Sequence, residues 1–375
     1  MSEALRRIAG PGRGPQGAPV AIALTPILSA RYRVRDLERI RAAAPWARIV
    51  NVSTEGLADG PLDDVEVLLR GWLSAEAFDR LLARAPQLAW VHSASAGVER
   101  VLTPAGRERG LVITNARGVF SRPIAEYVIM MILAVSRRLP QLLELQRERT
   151  WQPLEGAELR DVTVGIVGLG SIGRAVGALA TAFGCRVIAT RRHAEAETKS
   201  EAHPETVAGP REARSAAAGS ETGADREARP LVESMLDRVL GPEGLPELLA
   251  ESDFIVLAAP LTPETENMIN EETLALVKPG AWLINVARGR LVDDRALLRA
   301  LRDGGLGGAV LDAFREEPLA PSSPFYDVPN AIVTPHTSWS SSRVVDRSVE
   351  LFCDNLRRYA AGEPLLNVVD PAEGY

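Results

Sequence analysis

The sequence predicts an α/β protein built as two lobes, each a parallel sheet wrapped by helices. Three observations predict it. Short apolar runs of strand length alternate with stretches whose apolar residues recur at helical spacing. The alternation pauses in a long helical stretch that opens at Ser121, then restarts at Val162. At 375 residues the chain is also longer than one core ordinarily organises.

Taken in order, residues 1–18 are rich in Gly and Pro and lack the apolar stretch of a signal peptide, so a disordered segment is expected there. Residues 20–24, 65–69, 88–91 and 112–114 read as buried strands. Between them, residues 33–43 and 75–85 space their apolar side chains as helices do. Ser121 and Pro123 suit an N-cap and a first turn. The helix they open is expected to run to about residue 149 and to connect the lobes, with Ile124, Val128, Met131, Ile132 and Val135 on one side. The second series predicts strands at 162–167, 186–190, 254–258, 282–286, 308–311 and 332–333, helices at 172–183 and a closing helix at 340–361.

One segment breaks the pattern. Residues 194–230 contain no Leu, Ile, Met or aromatic residue, and Val207 is their one branched aliphatic. Such a run cannot bury enough area to offset the cost of ordering it, so a flexible surface insert is expected rather than a domain.

Composition excludes several functions. Apolar residues make up 46% and charged residues 25%, as in a water-soluble globular protein. A formal charge of −6 gives no footing for nucleic acid or an anionic membrane. The longest apolar candidate, residues 124–135, is too short to span a bilayer and contains Glu126. A cytoplasmic location is the expectation. Two cysteines, Cys185 and Cys353, offer no disulfide framework and read as small core residues. No metal site is expected.

Chemistry enters at Val164-Gly165-Ile166-Val167-Gly168-Leu169-Gly170-Ser171-Ile172-Gly173, a strand that runs through G-x-G-x-x-G into a helix. Each glycine has its own reason: Gly168 for the tight turn, Gly170 for backbone approach to a pyrophosphate, Gly173 for close packing of helix on strand. Free amides at the helix start would then face the phosphates. The glycine turn, in this βαβ context, predicts a dinucleotide site. An acid is expected about 20 residues on, to hold the ribose hydroxyls. Here that strand ends Ala189-Thr190-Arg191-Arg192 instead. A guanidinium pair there suits a 2′-phosphate, which predicts NADP in preference to NAD.

Reducing a carbonyl needs a proton donor and a cation to bind and polarise the substrate. The chain has four histidines. His193 and His203 border or lie in the polar insert, His92 sits within an apolar stretch, and His336 follows a strand end in Thr334-Pro335-His336-Thr337-Ser338. Two further strand ends give Asn285-Val286-Ala287-Arg288-Gly289 and Asp312-Ala313-Phe314-Arg315-Glu316-Glu317-Pro318. Open α/β sheets gather their active groups at such carboxyl ends.

In this order, and together with Ser95-Ala96-Gly97-Val98-Glu99 and Pro260-Leu261-Thr262-Pro263-Glu264-Thr265, these segments resemble the D-isomer-specific 2-hydroxyacid dehydrogenase family. The resemblance covers roughly residues 65–369. It implies that Arg288 holds the substrate's carboxylate and carbonyl, and that His336 donates the proton in reduction. It also implies that Glu317, which precedes Pro318, pairs with His336 and favours its protonated form, with Glu316 the competing acid. Backbone amides at Ser95, Ala96 and Gly97 would bind the substrate carboxylate. Trp72, past an earlier strand end, either lines the same cleft or is a half-buried packing aromatic. Cofactor contacts carried over are Gly168, Gly170, Ser171, Ile172, Gly173, Ala259, Pro260, Val286, Ala287, Asp312, His336 and Ser338. Asp312 would sit near the nicotinamide carboxamide, or simply satisfy neighbouring amides. Trp339 departs from the family's pattern, in which a small residue is common.

The implied architecture is a pair of Rossmann-like/flavodoxin-like, doubly wound lobes with the active cleft between them. The substrate lobe is expected from residues 19–120 and 334–375, the dinucleotide lobe from 121–333. The implied activity is reduction of small 2-oxo acids of the glyoxylate or hydroxypyruvate kind, by a homodimer. Two other readings stand beside it: a dinucleotide-sensing regulatory or scaffold protein on the same fold, and a dehydrogenase of phosphoglycerate, phosphite or formate.

Overall fold

The computed structural model describes residues 21–27, 32–192 and 233–371. The expected N-terminal segment 1–18 and insert 194–230, with His193 and His203, lie outside the described residues. Contacts divide the chain into two compact units, with crossings after Phe120 and after Ser340. The second crossing falls a short way beyond the expected residue 333, so the whole His336 segment belongs to the second unit.

The first unit is a five-stranded parallel sheet of β1 (Ala21–Leu24), β2 (Arg48–Asn51), β3 (Val65–Arg70), β4 (Trp90–Ser93) and β5 (Val112–Asn115). Its order is β2-β1-β3-β4-β5, the flavodoxin-like winding. The alternation of strand and helix dictates this, because parallel neighbours need a crossover that a two-residue hairpin cannot supply. Helix α1 (Val34–Ala43) covers one face and α2 (Ala75–Arg84) the other. Ser74 caps α2 by accepting the Ala77 amide at 3.1 Å. A short α3 (Pro104–Glu108) follows β4.

His92 is a core residue of this unit. The Trp90 indole donates to Thr114 Oγ1 at 2.9 Å, and the same hydroxyl meets His92 Nδ1 at 2.8 Å. Burial pushes the His92 ring down to about 3, which keeps it neutral. It is no proton donor at working pH. Both cysteines are buried and free, and burial pushes both thiols up, Cys353 to about 11. That agrees with core packing rather than nucleophilic chemistry.

The second unit opens with α4 (Ser121–Ser136) and α5 (Leu139–Arg147), where one long helix was expected. Pro140 explains the break. It has no N–H to give the Ser136 carbonyl, and that carbonyl takes the Ala157 amide at 2.9 Å instead. Arg138 reverses the chain in a left-handed conformation, φ 58°. The seven strands are β6 (Thr163–Val167), β7 (Arg186–Thr190), β8 (Arg238–Leu240), β9 (Phe254–Leu257), β10 (Trp282–Asn285), β11 (Gly308–Leu311) and β12 (Ala331–Val333). All pair in parallel, in the order β12-β11-β10-β9-β6-β7-β8. Among the described residues, helices α6 (Ser171–Ala182), α7 (Leu245–Glu251), α8 (Glu271–Leu274) and α9 (Asp294–Arg302) accompany them. The direction of winding reverses between β6 and β9, and ligands of open α/β sheets bind at such a switch point.

Helix α10 (Val344–Ala361) returns to the first unit. It lays Val349, Phe352, Cys353, Leu356 and Tyr359 on the same core as Ile22, Leu24, Val67, Leu69 and Trp90. Tyr359 stacks on Trp90 with ring centres 5.4 Å apart.

Candidate active site

The glycine turn lies at the switch point of the second unit, and its three glycines are required for three different reasons. Gly168 has φ 101°, and a Cβ there would come within 2.6 Å of the Ala259 backbone. A Cβ on Gly173 would strike the Gly168 carbonyl at 2.2 Å, so helix and strand approach only because it is glycine. Gly170 differs, since a Cβ there would meet nothing within 4 Å. Among the described residues no neighbour demands glycine at that position; a ligand lying against the backbone would. Gly170 also opens α6 without a side-chain cap, which leaves the amides of Ser171, Ile172 and Gly173 to a phosphate. These residues fit a dinucleotide. Ala259 packs on Gly168, and Val286 and Ala287 are buried just past β10, whereas Pro260 is exposed.

At the end of β7 the two arginines differ. Arg191 is largely buried and pairs with Glu233 at 2.9 Å, a partner 42 residues away that the sequence did not signal. Arg192 is exposed. Its charge acts on Glu264, which lies below its ordinary range chiefly because the Thr262 hydroxyl and its own amide hydrogen-bond to it.

Three neighbouring strands carry the candidate catalytic groups. The register aligns Asn285, Leu311 and Val333, so the segments that follow leave one edge of the sheet side by side. Asn285 shapes the first turn, accepting the Ala287 amide at 3.1 Å and donating to the Arg288 carbonyl at 3.0 Å. Arg288 Nη1 donates to the Ala287 carbonyl at 2.9 Å. A Cβ on Gly289 would overlap the backbone of Phe314 and Arg315, so glycine there lets the Glu317 loop pack onto the arginine turn.

Glu317 uses both oxygens. Oε1 accepts the Phe314 amide at 2.9 Å, and Oε2 accepts from His336 Nδ1 at 2.7 Å. Burial opposes its charge, but the His336 and Phe314 hydrogen bonds and the nearby His336 and Arg288 charges outweigh it and lower its pKa. Glu317 is therefore a carboxylate that fixes the Nδ1 proton, which leaves Nε2 as the ring nitrogen outside that bond. Glu316 does not share this contact; its charge falls on Asp294.

His336 has φ 49°, a left-handed conformation that costs a non-glycine residue about 1–2 kcal/mol. Asp312 holds it there. This buried carboxylate accepts the Thr334 hydroxyl at 2.6 Å and the Thr337 amide at 2.8 Å on Oδ1, and the Ser338 amide at 2.8 Å on Oδ2. Asp312 thus binds donors on both flanks of His336, and its second oxygen keeps an acceptor site beyond the Ser338 amide.

In the first unit, Ser95, Ala96 and Gly97 follow β4. Asn115 Nδ2 donates to the Ala96 carbonyl at 2.8 Å, and the Ser95 hydroxyl to that of Gly97 at 2.6 Å. Trp72 is 52% exposed beyond β3, after Gly71, which packs directly on the Pro26 backbone. Among the described residues no group of His, Cys, Asp and Glu could hold a metal ion, and no helix is long and apolar enough to cross a membrane.

The family model for the D-isomer specific 2-hydroxyacid dehydrogenase NAD binding domain matches residues 129–218 and 222–338. A glyoxylate reductase of Thermococcus onnurineus is 33% identical over 313 residues, 80% of this chain and 81% of that protein. Among solved structures, a D-isomer specific 2-hydroxyacid dehydrogenase of Xanthobacter autotrophicus in complex with NADPH and MES aligns with a TM-score of 0.76. It is 29% identical and covers 96% of this chain and all (100%) of its own. An NADPH-dependent glyoxylate/hydroxypyruvate reductase of Sinorhizobium meliloti, in complex with NADP and sulfate, aligns at 0.73 with 26% identity. It covers 96% of this chain and 100% of its own.

Proposed function

Since the chain belongs to the D-isomer-specific 2-hydroxyacid dehydrogenase family, we propose that it is an NADPH-preferring reductase of small 2-oxo acids of the glyoxylate or hydroxypyruvate kind. The observation that carries this reading is the 2.7 Å bond from His336 Nδ1 to Glu317, on the sheet edge that also bears Arg288. The nicotinamide, when bound, supplies the hydride. Arg288 pairs its planar fork with the substrate carboxylate and draws charge towards the carbonyl oxygen. His336 Nε2 gives that oxygen a proton as negative charge develops on it. Glu317 holds the ring in one tautomer and stabilises the imidazolium before the proton leaves.

The preference for NADPH rests on Arg191 and Arg192, with Arg192 exposed and Arg191 shared with Glu233. A charge-assisted bond to a 2′-phosphate contributes about 1.5–3 kcal/mol, so kcat/KM with NADPH is expected to exceed that with NADH by about ten-fold or more. The test is cofactor oxidation over a panel of 2-oxo acids, with both cofactors. Glyoxylate and hydroxypyruvate should lead. A clear NADH preference overturns the cofactor assignment, a lead by 3-phosphohydroxypyruvate the small-substrate assignment, and no turnover on any 2-oxo acid the reductase itself.

We further propose a homodimer formed by the outer face of α4, α5 and α6. Met130, Leu139, Leu142 and Phe183 are exposed around one apolar groove there, and Trp151 just beyond α5 is fully exposed. A contiguous patch of this kind marks an interface, and two-fold self-association is its commonest form. Sedimentation of the wild type should give twice the chain mass, and Met130→Glu should reduce it to one. A monomeric wild type would remove the proposal.

A further inference from the structure

The strained backbone at His336 is held by Asp312, and Asp312 is itself held from outside the loop. Thr334 gives its one proton to the Asp312 carboxylate, so at the 2.7 Å contact with Tyr127 the phenol donates and Thr334 Oγ1 accepts. The chain of donors runs Tyr127 to Thr334 to Asp312, whose carboxylate also accepts from the amides of Thr337 and Ser338, which enclose His336. Tyr127 stands on α4, at most 9% exposed, while the loop follows β12. A helix and a strand end, 207 residues apart in sequence, are thereby joined through one hydroxyl.

We infer that Tyr127 is a positioning residue, whose hydroxyl fixes the rotamer of Thr334 and through it the left-handed turn that aims His336. The inference rests on the proton-donor role proposed for His336. Burial, followed by the nearby Asp312, pushes the phenol up to about 12 against the opposing Thr334 bond, so it remains a donor at any working pH. Without that donor Thr334 turns more freely, Asp312 loses alignment, and the bond from His336 Nδ1 to Glu317 loosens.

The test compares Tyr127→Phe, Thr334→Val, their double variant and His336→Asn in the 2-oxo acid assay. Tyr127→Phe removes one oxygen and keeps the ring. It should lower kcat about 3- to 10-fold, the worth of one hydrogen bond, with the KM for cofactor unchanged. The double variant should be no worse than Thr334→Val alone, since both act along one path, and Thr334→Ser should recover most of the lost rate. A lowered melting temperature with kcat intact would make Tyr127 merely structural. Effects that multiply in the double variant would equally overturn the inference. If Tyr127→Phe does not fold, Thr334→Val against Thr334→Ser decides by the same readouts. Activity surviving in His336→Asn would instead sink the catalytic reading on which all of this depends.

Discussion

Replacing His336 by asparagine should lower kcat by about 10²–10⁴-fold, the usual contribution of a positioned proton donor. Asparagine is the informative choice because it tolerates the left-handed backbone that His336 adopts, φ 49°, far better than alanine does. The loop held by Asp312 should then keep its shape, and the loss should report chemistry rather than collapse. Cofactor binding, read by quenching of tryptophan fluorescence, should persist, since the glycine turn lies on a different pair of strands. A kcat within a few-fold of wild type would mean that another group protonates the product. His92 could not be that group, as it is buried and neutral in the first unit's core.

The second large effect is expected at Arg288. Arg288→Gln should cut kcat/KM for a 2-oxo acid by about 10²–10³-fold, with a raised substrate KM, because charge stabilisation and carboxylate binding are lost together. Arg288→Lys should recover only part of this: lysine restores the charge but not the planar fork. Glu317 gives an independent reading, since Arg288 is among the charges that hold its carboxylate ionised. The acidic limb of activity in Arg288→Gln should therefore move to higher pH. An unchanged KM in either variant would place carboxylate recognition elsewhere.

Much of this architecture was legible because burial writes itself into composition. Val164, Ile166 and Val167, or Ile255, Val256 and Leu257, are buried on both sheet faces, and such runs admit few other readings. The edge strands β2 and β8 were missed for the converse reason. Arg48–Asn51 and Arg238–Leu240 are largely half-buried, so their sequence carries no continuous apolar run. The helix break at Pro140 was legible in principle; apolar periodicity on both sides masked it.

At the site, Gly168 and Gly173 could be named from the strand–turn–helix pattern around them, and Arg288, Glu317 and His336 from the resemblance to the family. Tyr127, Thr334, Glu233 and the clamp made by Asp312 could not. Each depends on a contact spanning from about 20 to more than 200 residues, and no local pattern encodes the partner. Asp312 in particular reads from sequence as an acid at a strand end. Only the folded chain shows three donors converging on it.

The return of α10 to the first sheet has a consequence for biosynthesis. A ribosome completes the second unit's strands before it has made Phe352 and Tyr359, which cover Trp90 and its neighbours. Until then the earliest-made sheet has one greasy side open to water, a state prone to clumping and a natural client for chaperones. The first unit's sheet is thus translated before the second unit yet finished after it, and removing α10 should damage that earlier sheet.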